Sequence, residues 1–193
     1  ENRDTLDYGK LTIQVVDFSE VRLFGIPCGD TMKRTIHFIA SLDSELPRFP
    51  FDNFLEQEDF VIKLNALFEP TEDRARVITI ASKVVAQDKI SGEDDGLGQK
   101  IDVQRGVSGG VTDSVTTKGW YELAPYRTFR DIEQPKSAFI LRLRENNGKV
   151  PRIALFDAEG GIWRNTAINL IKDYLSAQLV NADGEKLGIP IIA

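Results

Sequence analysis

SAFILRLRENNGKVPRIALF, residues Ser137–Phe156, is the stretch on which the fold turns. Phe139, Leu141 and Leu143 alternate with Ile140, Arg142 and Arg144. A period of two means a strand with one face in a core and one toward water. Asn146–Gly148 supplies residues that accept a positive φ, a strong hairpin signal. The chain then returns through VPRIALF. Pro151 has no N–H to give to a ladder, so this returning strand must lie at an edge or begin irregularly there. An antiparallel hairpin is the expectation, and the neighbouring segments are read around it.

Upstream, KLTIQVVDF places Leu11, Ile13 and Val15 in alternation, SEVRLFGI repeats the pattern, and RTIHFIASL puts Ile36, Phe38, Ala40 and Leu42 on one face. Pro47 and Pro50 then break the sheet. PFDNFLEQEDFVIKLNALF reads as a helix with Asp52 as N-cap and a stripe of Phe54, Val61, Leu64 and Phe68, stopped by Pro70. TEDRAR reads as a charged turn. VITIASKVVAQ, rich in β-branched residues, reads as a strand that pairs with QKIDVQRGV across the turn SGEDDGLG. Downstream of Gly160-Gly161, NTAINLIKDYLSAQL forms a second helix with Ile168, Ile171, Leu175 and Leu179 as its stripe. The tail GEKLGIPIIA shows no clear element. With no internal repeat and no composition break, residues 1–193 read as a single α+β domain, a mainly antiparallel sheet of hairpins and meander with two packed helices.

Composition narrows the function. The 193 residues are 41% hydrophobic and 28% charged, the balance of a globular protein with a real core. A net charge of −6 without any Lys/Arg run argues against non-specific nucleic-acid binding, which rests on phosphate neutralisation. No apolar run has bilayer-spanning length, and no signal-peptide pattern opens the chain. Cys28 is the only cysteine, which rules out an intrachain disulfide and fits a reducing cytoplasm. The start at Glu1 suggests a trimmed N-terminus.

The motif that first suggests chemistry is Gly106-Val107-Ser108-Gly109-Gly110, a G-x-S-x-G match. A nucleophile elbow needs a helix straight after its serine, and VTDSVTTKG is a poor helix starter. Its triad also needs a base. The one histidine, His37, stands upstream within a strand pattern, the reverse of that chain order. Ser108 is therefore read as part of a Gly-rich loop. One His and one Cys do not make a zinc site, and the adjacent acids of Gly92–Gly96 point apart instead of converging on calcium. Neither a P-loop nor G-x-G-x-x-G is present, so no cofactor and no metal is expected. Gly160-Gly161 precedes a helix, where free amides suit an anion, but it reads rather as a turn that folds Trp163 onto the core. WYELAPYRTF gathers Trp120, Tyr126 and Arg127, with Arg130 just beyond. Such clusters serve as interaction hot spots or single-strand platforms, or clamp a loop to its own core. Arg142 and Arg144 share a strand face and complement a carboxylate, a phosphate or an acidic partner, or form a solvated face. His37 and Cys28 read as structural.

ELAPYRTFRDIEQPKSAFILRLRE followed by ALFDAEGGIWRNTAINLIKDYL resembles the C-terminal half of an uncharacterised bacteriophage and prophage protein family. LPRFPFDNFLEQEDFVIKLNALF and VITIASKVVAQDKISGEDDGLGQKIDVQRGV resemble it in the same order, so the likeness spans nearly the whole chain. Members of that family typically carry a further N-terminal segment, and their Gly-rich loop generally lacks the serine. The resemblance implies an accessory factor in the bacterial host cytoplasm and carries over no site residues. With no nucleophile–base pair, metal cluster or nucleotide loop, the expectation is a non-enzymatic factor that binds a host or phage protein, with homo-oligomerisation open and no membrane association. Two alternatives stand beside it. One is single-stranded nucleic-acid binding in phage replication or recombination through Trp120, Tyr126, Arg127 and Arg130. The other is counter-defence by sequestering a small anionic host signal near Arg142, Arg144 or Gly160-Gly161, which requires a pocket with converging arginines.

Overall fold

A computed structural model describes residues 8–84, 89–91, 100–105, 111–147 and 149–193. Its strands are β1 (Thr12–Asp17), β2 (Glu20–Cys28), β3 (Lys33–Ser41), β4 (Lys89–Ser91), β5 (Lys100–Arg105), β6 (Val111–Thr116), β7 (Tyr121–Leu123), β8 (Ser137–Asn146), β9 (Lys149–Asp157) and β10 (Ile191–Ile192). The helices are α1 (Gln57–Leu67), α2 (Glu72–Lys83) and α3 (Trp163–Gln178). The strand pairings are antiparallel apart from β1–β10, and the fold is α+β. Two compact units emerge, one of Glu1–Leu46, Arg127–Gln134 and Ile162–Ala193, the other of Pro47–Tyr126 and Pro135–Gly161.

The second unit holds the hairpin that opened the sequence reading. β8 and β9 pair antiparallel in the sheet β7-β8-β9, with Leu141 opposite Leu155 and Leu143 opposite Ile153. The alternation is strict: Phe139, Leu141 and Leu143 are buried. β9 ends the sheet β7-β8-β9, with Leu55 bridging Ile153 on its outer side, and its register slips by one residue around Pro151, the irregular start that the proline allows. Asn147, at φ 47°, turns the hairpin. Against the buried face lie Phe60 and Leu64 of α1 and Val77 and Ala81 of α2. Phe51 stacks on Phe139 with centroids 5.0 Å apart, and Phe49 meets Phe68 edge-on at 5.1 Å. Each such burial contributes about 1.5–3 kcal/mol, so this unit has an ample core. β4, β5 and β6 form a separate three-stranded antiparallel sheet in which Ile90 stands opposite Ile101 and Ile101 opposite Val115.

Two sequence expectations change here. VITIASKVVAQ, expected as a strand, belongs in part to α2. Thr71 accepts a hydrogen bond from the Arg74 N–H at 3.1 Å, and Glu72 and Asp73 occupy the first turn, where the helix dipole favours acids. Val77 and Ala81, four apart, are the residues buried. Burial at helical spacing outweighs the β preference of Val77, Ile78 and Ile80. The first helix starts later than expected, at Gln57. Asp52 sits at φ 62°, outside any helix, and Phe54 packs edge-on to Phe156 at 5.9 Å.

The first unit is a four-stranded sheet in the order β10-β1-β2-β3, with α3 packed on it. The apolar tail pairs after all: β10 lies parallel to β1, Ile191 opposite Ile13. Its compact apolar cluster is small, Val15, Ile132 and Ile171, with Val21, Phe129, Ile168, Leu170, Leu175 and Ile191 partly buried around it. Gly25 permits a close approach on β2, since a Cβ there would stand 2.8 Å from His37 Nε2.

Candidate functional site

The six residues singled out from the sequence fall in three places. Trp120 is 56% exposed beside β7, and Tyr126, half-buried, donates its N–H to Leu67 O at 2.8 Å; both belong to the second unit. Arg127 and Arg130 belong to the first, so neither unit by itself carries the four-residue platform. Arg127 stacks 4.0 Å over the Trp163 ring, which itself meets Phe18 edge-on at 4.7 Å. Trp163 is buried, as the reading of Gly160-Gly161 as a turn requires, and both glycines take positive φ.

Gln134, which no sequence motif marks, organises this loop. Its side chain is almost wholly buried. Oε1 accepts from the N–H groups of Arg127 at 3.2 Å and Thr128 at 3.4 Å, while Nε2 donates to the carbonyls of Phe129 at 2.9 Å and Ile132 at 3.3 Å. Thr128 Oγ1 donates to Phe18 O at 2.6 Å. One amide thus uses its donor and acceptor together to close a loop that has no ladder of its own. The segment that stood out in sequence, APYRTF to EQP, is a hydrogen-bonded clamp. At the same end of the unit, Asp17 accepts from Ser19 Oγ and Ser19 N–H, which hold its carboxyl below the ordinary carboxylate range, with Arg164 adding a smaller pull.

Arg142 and Arg144 do come together with other groups. On the outer face of β8 they border a surface depression of about 510 Å³ with Phe54, Ile140, Leu143 and Phe156. The Arg144 guanidinium lies 3.9 Å over Phe54. Directly across the ladder from Arg144 stands Arg152, a like-charge pairing that opposes strand association. Arg152 Nε donates to Glu56 at 2.8 Å, which offsets part of that repulsion. Three guanidiniums and two phenyl rings therefore share one face. The depression is open and its arginines line a rim, unlike the enclosed pocket expected for a sequestered anion.

A different surface also exposes apolar side chains. β3 is the edge of its sheet, and every one of its residues except Ala40 is exposed. Ile36 is 45%, Phe38 64% and Ile39 48% exposed. Phe38 and Ala40 also border a cavity of about 390 Å³ with Val21, Leu23, Ile171 and Leu175. Isolated apolar side chains on a surface are ordinary, but a nine-residue edge strand carrying three within four residues presents unpaired backbone and apolar area together.

Elsewhere, burial raises the Tyr121 phenol above its ordinary value, against the Lys118 N–H that donates to it at 2.9 Å. Among the described residues no group of His, Cys, Asp and Glu is placed to hold a metal ion, and no helix is long and apolar enough to cross a membrane. Ser108 and the acidic turn Gly92–Gly96 lie outside the described residues. No family model matches the chain, and neither a curated protein nor a solved structure matches it.

Proposed function

We propose that this chain is a non-enzymatic interaction factor that binds another protein through the β3 side of its first unit. The observation that carries the reading is the exposed apolar edge of Ile36, Phe38 and Ile39. A strand of this kind is normally short, charged or covered, because its free N–H and C=O groups template association. Lys33, Arg34 and the irregular register near His37 guard it only in part. The phage setting and a place in the bacterial host cytoplasm rest on the motif resemblance and on the single Cys28. The test is affinity capture from bacterial cells with the wild-type chain beside Phe38→Lys and Ile36→Lys variants of unchanged circular dichroism. Proteins held by the wild type and lost by both variants bear the reading out. Identical capture by all three overturns it.

The arginine face of β8 favours a second reading, binding of an anionic ligand that also offers an aromatic or apolar part, such as a nucleotide or a single strand. Arg144 over Phe54, with Arg142 and Arg152 beside it, combines cationic and stacking groups. Fluorescence anisotropy of a labelled single strand at low salt tests it. Binding that weakens steeply with salt, and again with Arg144→Gln, supports the reading; none at low salt ends it.

A further inference from the structure

We infer that the partner of β3 is a second copy of the same chain, paired edge to edge and antiparallel about a two-fold axis near Phe38. The inference rests on the interaction reading above and specifies its partner. Charge along the edge selects this occupant. β3 begins with Lys33 and Arg34, and the chain leaving its other end carries Asp43 and Glu45. An antiparallel pairing centred on Phe38 sets Lys33 of one copy opposite Asp43 of the other, and symmetry makes that contact twice. Thr35 then faces Ser41, Ile36 faces Ala40, and the two Phe38 rings meet at the axis. A parallel in-register pairing would instead set Lys33 beside Lys33 and Asp43 beside Asp43, an arrangement opposed by like-charge repulsion.

The remaining features of the strand fit this geometry. Arg34 is turned back onto its own sheet, where Nη1 donates to Thr12 Oγ1 and to Gly25 O, each at 3.2 Å, so Lys33 is the cation left facing outward. Leu23 pairs with Phe38 and Phe24 with Ile36, which makes His37 the extra residue of a bulge. The bulge bends the strand next to the axis, a second irregularity in the ladder to β2 falls between Ile36 and Arg34, and Phe38–Ser41 keeps a continuous register. Pairing also closes over the open flank of the 390 Å³ cavity, because Phe38 and Ala40 border it. That burial adds to the unit's own apolar cluster of Val15, Ile132 and Ile171.

Analytical ultracentrifugation of the intact chain tests the proposal. The expected result is a dimer that forms below about 100 µM, as a strand-paired interface of moderate size allows. Phe38→Lys is expected to weaken it at least about 100-fold, the scale of a central anchor. Lys33→Glu and Asp43→Lys, both at exposed positions, are each expected to weaken it roughly 5- to 30-fold, since symmetry reverses two contacts at once. The double variant Lys33→Glu/Asp43→Lys is expected to recover to within about threefold of wild type, a rescue that misfolding does not mimic. A wild-type chain that stays monomeric at about 100 µM overturns self-pairing, as does a dimer indifferent to these substitutions. If the wild type is monomeric while Phe38→Lys still loses captured protein, self-pairing fails and the interaction reading stands. If neither assay responds to β3, both fail.

Discussion

Replacing Gln134 separates structure from function in the most distinctive segment of this chain. Its amide makes four hydrogen bonds from a buried position, at 2.9, 3.2, 3.3 and 3.4 Å. The two longer contacts are weak, and the two shorter ones contribute about 1 kcal/mol each. Gln134→Leu keeps the volume and removes all four, and it leaves backbone groups of Thr128 and Ile132 without this partner in a dry region. Orphaning even one such group costs about 1–3 kcal/mol, so the expected loss is about 3–5 kcal/mol. At a urea slope of about 1.5 kcal/mol per molar that moves the midpoint down by roughly 2–3 M. Trp163 reports the transition, because it is buried in the same unit and stacked under Arg127; a Trp120→Phe background silences the exposed second tryptophan. Gln134→Glu sharpens the test. It keeps the acceptor but turns an oxygen toward the Phe129 and Ile132 carbonyls, so the folded chain favours the protonated acid and its carboxyl rises above the ordinary value. A group whose folded pKa is raised lends stability at low pH that is lost as pH climbs through that pKa. Gln134→Glu should therefore lie closest to wild type near pH 4 and fall behind toward pH 7. A loss under about 1 kcal/mol for Gln134→Leu, with an unchanged slope, would refute the clamp. If binding vanished while stability held, the segment would be a recognition element after all.

Other perturbations probe the remaining framework. Thr71→Ala removes the acceptor for the Arg74 N–H and should cost about 1 kcal/mol in urea unfolding, whereas Thr71→Ser should cost little. Phe60→Ala empties the centre of the second unit's core and should cost about 3–5 kcal/mol by the same measurement, with a lower yield of folded protein. Asp17 is held ionised by Ser19, so its folded pKa lies below its unfolded one. Its contribution is present above the ordinary carboxylate value and lost as pH falls through the lower, folded one. Asp17→Asn should flatten that acid limb of the stability profile, and an unchanged profile would assign the limb to other carboxylates.

How much of this was legible in the sequence depends on where burial falls. β8 and α3 are readable because each buries one face, so periodicity carries the geometry, whereas β9 is read from the hairpin, since Ile153, Ala154 and Leu155 are buried in succession. α2 is hidden because Val77, Ile78 and Ile80 favour strands and Thr71-Glu72-Asp73 reads as a charged turn as readily as a helix start; the i,i+4 pair Val77 and Ala81 is what carries the helical spacing. The arginine face was half legible. Arg142 and Arg144 share a strand by alternation, but Arg152 reaches its place opposite Arg144 only because the ladder slips at Pro151. Phe54 joins from a segment expected to be helical.

The sharper contrast lies between the clamp and the edge. APYRTF to EQP stands out through rare residue types, yet two of its polar side chains are engaged within the fold, Gln134 on backbone and Arg127 over Trp163, while Arg130, Asp131 and Glu133 are exposed. RTIHFIASL drew none, since alternation alone reads as an ordinary half-buried strand. Alternation gives a strand's two faces and says nothing of whether a neighbouring element covers either of them. Phe38 of β3 borders a cavity with Ile171 and Leu175 of α3 and remains 64% exposed where the pattern promised a core. A compositionally unusual loop can therefore be structural while a compositionally plain strand leaves apolar area exposed. For this chain, the unspent apolar area and free backbone of β3 are better guides to a partner than the conspicuous side chains of the loop.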